Sequence, residues 1–129
     1  MANLINWIEI PVKDMDRAKR FYESVLVASI SIDGDLAPGY KMGMINTAGM
    51  QREDLGGALV EGQAYEPGSN NTLVYFNAIE TGGVDAFLER VQQAGGTVTG
   101  PKLLISEEIG FCGFFTDCEG NRMAVHAMN

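Results

Sequence analysis

Asn6-Trp7-Ile8-Glu9-Ile10-Pro11-Val12 is an apolar, β-prone run. Its pattern returns at an offset of 66 residues in Thr72-Leu73-Val74-Tyr75-Phe76-Asn77-Ala78. An acid follows each run, Asp14 and Glu80, where a helix is expected to begin. Ala18, Phe21, Tyr22 and Val25 then match Val84, Phe87, Leu88 and Val91 at the same offset. Their i, i+3, i+4, i+7 spacing is the apolar stripe of one helix face. Few letters are shared, so the repeat is one of pattern. A doubled strand–helix unit names the architecture and relates positions in one half to positions in the other.

The first half reads as a strand over Leu4–Val12 and a helix from an Asp14 cap to about Leu26. Strands follow over Val27–Ile32, closed by Asp33-Gly34-Asp35, then Tyr40–Asn46 and Gly57–Glu61, with a polar turn over Thr47–Leu55. The second half reads as a strand over Leu73–Ala78, a helix over about Val84–Ala94 and a Gly95-Gly96 stop. Three more strands follow, Thr97–Thr99, Gly110–Thr116 and Arg122–His126, the last two joined by the turn Asp117-Cys118-Glu119-Gly120-Asn121. Pro67, Gly68, Ser69 and two asparagines mark a linker at about 62–71. The expected organisation is one domain over 1–129, with module 1 at about 3–62 and module 2 at about 72–128. The class is α+β, two tandem βαβββ modules forming a curved mixed sheet around a concave cavity.

Composition narrows function. A chain of 129 residues suits one domain, burying about two-thirds of its unfolded surface. Its net charge of -8 argues against nucleic acid, whose phosphates need a basic face. The acidity is compatible with a cationic ligand, although solubility alone accounts for most such charge. No run approaches the roughly 20 apolar residues of a membrane span, and no basic-then-apolar leader opens the chain. Cys112 and Cys118 fit neither a disulfide framework nor a metal knuckle, which favours idle thiols in the cytoplasm, with turn residue Cys118 a possible reactive one.

Trp7-Ile8-Glu9-Ile10-Pro11-Val12-Lys13-Asp14, Arg17-Ala18, Phe21-Tyr22-Glu23-Ser24-Val25-Leu26, Gly95-Gly96 and Asp117-Cys118-Glu119-Gly120-Asn121 together resemble the vicinal oxygen chelate superfamily. That superfamily includes glyoxalase I, extradiol dioxygenases, fosfomycin-resistance enzymes and bleomycin-resistance proteins. The resemblance spans nearly the whole chain. One departure is Val27, where the family usually places a glycine. The resemblance implies a homodimer whose paired modules come from one chain or two. It also implies metal ligands in the first and last strand of each module. Those four slots fall here on Trp7, Ala58, Leu73 and Ala124, with 7 to 58 and 73 to 124 spanning equal intervals. None of these side chains coordinates a metal. With one histidine in the chain, a two-histidine, one-carboxylate iron site cannot form. Hence no metal and no cofactor is expected.

Positions two along from each slot share its face. They are Glu9, Val60, Tyr75 and His126. Glu9 inside an apolar strand suits a general base if buried, Tyr75 can donate to an oxyanion, and His126 can relay a proton. Trp7 supplies an aromatic wall or cation–π platform. Each has a plainer reading: Glu9 paired to a neighbour, Tyr75 a sheet residue, His126 a satisfied edge residue. Met42, Met44 and Met50 suit either a pliable pocket or an ordinary core. The leading expectation is a metal-independent binding module, with Trp7, Glu9, Tyr75 and His126 around a small, aromatic or cationic molecule. The alternative is a glyoxalase-related lyase or isomerase with Glu9 as base and Tyr75 or His126 as electrophilic partner. A metal-dependent glyoxalase or dioxygenase ranks third, and whether the chain is an enzyme stays open.

Overall fold

The computed structural model describes residues 4–51 and 54–129, with 34–37 described for their backbone alone. Of the expected turn over Thr47–Leu55, residues 52 and 53 therefore lie outside the described residues. The element order is β1 (Trp7–Pro11), α1 (Met15–Leu26), β2 (Ser29–Ala37), β3 (Tyr40–Asn46) and β4 (Gly56–Glu61), then β5 (Tyr75–Asn77), α2 (Gly83–Gln93), β6 (Thr97–Ser106), β7 (Gly110–Thr116) and β8 (Arg122–Ala127). This is βαβββ twice. Each module forms its own mixed sheet, ordered β1-β4-β3-β2 and β5-β8-β7-β6, so the strands make two four-stranded sheets rather than one continuous one. The first strand of each module runs parallel to its last.

Both helices form where their apolar stripes lie. In α1 the Asp14 carboxylate accepts a hydrogen bond from the Arg17 N–H at 3.1 Å, the expected cap. Met15, Ala18, Phe21, Tyr22 and Val25 are buried. In α2 the buried face carries Val84, Phe87, Leu88 and Val91. These stripes meet the inner sheet faces in one core shared by both modules. Phe76 of β5 lies nearly parallel to Phe87 and Phe115, with centroids 6.1 and 6.4 Å away. It also approaches Tyr22 of the other module at 5.9 Å.

β1 begins at Trp7 rather than Leu4, β2 at Ser29 rather than Val27, and β5 is shorter than expected, whereas α2 starts within one residue of its expected place and differs in its cap. Glu80 does not start α2; the N-cap is Gly82, and the Gly83 and Val84 N–H groups are taken by the carbonyls of Ala78 and Asn129. Gly82 and Gly83 have φ of 101° and 90°, a backbone that an acidic cap would not adopt cheaply. Strand β2 passes through Asp33-Gly34-Asp35 to Ala37, with its register shifting between Asp33 and Ala37. Strand β6 passes Pro101 and reaches Ser106 because it is the sheet edge, where a missing N–H is tolerated and register shifts absorb the ring.

The turn between β7 and β8 joins the modules. Buried Asp117 accepts from the Glu119 and Asn121 N–H groups at 2.8 and 2.9 Å. Asn121 donates to the Pro11 carbonyl at 2.9 Å and accepts from the Gly68 N–H at 3.0 Å. Glu119 accepts from the Lys13 and Asp14 N–H groups at 2.8 and 3.0 Å and from Arg17 at 3.0 Å. A carboxylate from module 2 thus satisfies donors at the start of the module 1 helix.

Candidate functional site

The cross-strand registers decide which side chains share a face. Trp7 pairs with Gly56, Glu9 with Ala58 and Pro11 with Val60, so these lie on the face turned away from α1. Met42 and Met44 extend that face through their pairing with Val60 and Ala58. Both are half-buried, as is Met50. A Cβ on Gly56 would come within 3.1 Å of the Trp7 ring and 3.2 Å of the Met50 methyl, so this glycine gives the indole its seat. In module 2, Tyr75 pairs with Ala124 and Asn77 with His126, again on one face.

Glu9 is exposed rather than buried in its strand. Its carboxylate accepts a hydrogen bond from the Tyr65 hydroxyl at 2.6 Å and another from Trp7 Nε1 at 3.3 Å. Among the described residues no cation pairs with it. The bond to Glu9, followed by partial burial, raises the Tyr65 pKa, so the phenol stays a donor. Tyr65 meets Tyr40 edge-on at 5.9 Å. Reading the linker as a spacer missed Tyr65; the available signal was an aromatic residue among Gly, Pro and Asn.

Two cavities lie along these faces. The first, about 420 Å³, opens at the junction of the modules and is lined by β1 from Ile8 to Pro11, residues 64–66 and 71–72, Val74, Asn121 of the turn, and Arg122 and Met123 of β8. It contains Glu9 and Tyr65. The second, about 440 Å³, is lined by Tyr75, Phe76, Asn77, Ile105, Ile109 and His126. The His126 Nε2 lies 2.5 Å from the Ile109 carbonyl oxygen, which only accepts, so Nε2 carries a proton. Tyr75 is 51% exposed and Trp7 40% exposed. Glu9 therefore sits at one cavity with Tyr65, whereas Tyr75 and His126 line another, and Trp7 stands beside the first.

The four chelate slots hold no donor atoms. Ala58 and Ala124 are fully buried strand residues, and Trp7 is committed to Glu9. Among the described residues no three His, Cys, Asp or Glu side chains gather as a metal site requires. The residues present do not fit the family's metal. Cys118, expected as a possible reactive thiol, is half-buried, and burial followed by the charges of Asp117 and Glu119 raises its pKa to about 11. It is a poor nucleophile at neutral pH.

The fold is shared with solved structures of low identity. A glyoxalase/bleomycin resistance protein/dioxygenase domain from Frankia superposes with a TM-score of 0.74 at 16% identity, covering 98% of each chain. TnmS3, an antibiotic binding protein from Streptomyces, matches with a TM-score of 0.67 at 24% identity, covering 97% of this chain and 95% of its own. The fosfomycin resistance protein FosX from Listeria monocytogenes matches with a TM-score of 0.64 at 20% identity, covering 98% and 91%. No curated protein matches this chain by sequence. A sequence profile of one family matches residues 4–125. With the first module, the linker, the closing turn and the second module into β8 inside that match, the chain belongs to the Glyoxalase/Bleomycin resistance protein/Dioxygenase superfamily.

Proposed function

We propose that this protein binds a small organic molecule, without a metal, in the cavity between its two modules. The observation that carries this reading is the 420 Å³ junction cavity with the Glu9–Tyr65 pair on its wall, within the usual size range of ligand pockets. The description of TnmS3 as antibiotic-binding supports it by analogy of fold. Chelate slots filled by Trp7, Ala58, Leu73 and Ala124 favour recognition over metal-assisted chemistry. Unpaired thiols at Cys112 and Cys118 suit a cytoplasmic setting.

A second reading is favoured by the 2.6 Å Tyr65–Glu9 bond: proton transfer beside a carbonyl, as in a lyase or isomerase, with Glu9 as base and Tyr65 as donor. We propose also that two copies associate through the open face of module 2, where Tyr75, Leu103, Ile105 and Ile109 are all exposed. Light scattering tests this directly, and a monomer at micromolar concentration would refute it.

The binding reading is tested by titrating a panel of aromatic compounds while following the fluorescence of Trp7, the single tryptophan. Saturable quenching that weakens in Glu9→Gln is expected. No quenching across the panel would refute binding at this cavity. A turnover that disappears in Glu9→Gln would promote the catalytic reading.

A further inference from the structure

The junction cavity carries opposite charges contributed by different modules. Glu9 comes from β1 and Arg122 from the first position of β8, and both line it. Among the described residues Glu9 has only the neutral donors Tyr65 and Trp7. Arg122 faces the Phe114 ring at 5.7 Å and, among the described residues, has no carboxylate partner. The one other charged residue on the wall, Glu66, is already taken by Lys13 at 2.7 Å. The same wall includes apolar Ile8 and Val74, and Asn71 and Thr72 add polar groups.

A charge left unpaired at a cavity wall is available to a ligand, and a desolvated partner strengthens it. An anion alone would meet Glu9, and a cation alone would meet Arg122. A molecule bearing both charges on an apolar body avoids each conflict. We infer that the cavity selects a zwitterionic ligand, with an ammonium at Glu9 and Tyr65 and a carboxylate or other anionic group at Arg122. This rests on the binding reading above and narrows it to a ligand class.

Isothermal titration calorimetry with 4-aminobutyrate, 6-aminohexanoate and 8-aminooctanoate tests the assignment, against hexylamine, hexanoate and neutral hexanamide. One chain length should bind best, at least about tenfold tighter than the single-charge compounds, since one charge-assisted contact is worth that much. Glu9→Gln should lower it to the level of the acid, and Arg122→Gln to that of the amine. Both side chains are exposed, so both variants should keep the wild-type melting temperature. Equal binding of hexylamine or hexanoate and the zwitterions, or indifference to both substitutions, would overturn the inference. If aromatic compounds still quench Trp7 saturably in that case, the binding reading survives alone; if they do not, both fall.

Discussion

The phenol of Tyr22 on α1 donates a 2.5 Å hydrogen bond to Asp117 in the β7–β8 turn, 95 residues away and in the other module. Both groups are buried, and Asp117 also receives the Asn121 side chain at 3.0 Å. Burial first, and then the charge of Asp117, hold the Tyr22 pKa well above its ordinary value, so the donor is retained at any pH the fold tolerates. This bond, with the Asn121 bonds to Pro11 and Gly68, ties the turn to module 1 and to the linker.

Tyr22→Phe removes a hydrogen bond to a buried carboxylate, worth about 1.5–3 kcal/mol. The unfolding free energy in water should fall by that amount, seen as a lower urea midpoint at an unchanged slope. A midpoint equal to wild type would show that water or another donor replaces the phenol.

Val27 ends α1 in a left-handed conformation, with φ 52° and ψ 54°. A branched side chain is strained there by about 1–2 kcal/mol, and at 58% exposure it loses little burial on removal. Glycine would relieve the strain at an entropic cost of about 0.5–1 kcal/mol. Val27→Gly should therefore raise the melting temperature by about 2 °C, read by calorimetry. A decrease would mean that the valine packs usefully despite its backbone.

Cys118 holds its proton in the fold up to about pH 11, against 9.0 when exposed. The unfolded chain ionises first, so the contribution of this thiol is complete below pH 9 and declines as pH rises toward 11. Cys118→Ala should flatten that part of the stability profile. Alkylation of Cys118 in the native protein at pH 8 should run about tenfold slower than that of a free thiol. Rapid native labelling there would contradict the assignment.

Tyr65→Phe should leave stability within about 0.5 kcal/mol, because the side chain is only half-buried. It removes the phenol oxygen that would accept from the ammonium beside Glu9, so affinity for an ammonium-bearing ligand should fall by roughly threefold to tenfold. Unaltered affinity in titration would separate Tyr65 from recognition.

Much of the fold was legible because its determinants are local. The stripe Ala18, Phe21, Tyr22, Val25 sets one helix face, Asp14 caps it, and Gly120, with φ 89°, permits the closing turn. The start of α2 near Val84 was legible but its cap was not, since a tertiary bond from Val84 to the Asn129 carbonyl and two left-handed glycines override the acid at Glu80. The length of β6 was hidden for a similar reason: Pro101 stops a central strand and is tolerated at an edge.

Periodicity of apolar residues, which each stretch of chain carries in itself, was sufficient for the doubled βαβββ plan. Partners of side chains were another matter. Glu9 meets Tyr65 across 56 residues, while Tyr75 and His126 line a different cavity with Ile105 and Ile109. Repeat symmetry relates positions between modules but does not fix where one module rests on the other. That placement is set by the shared core and by the bonds of Asp117, Glu119 and Asn121, and it alone brings Glu9 and Arg122 to one cavity.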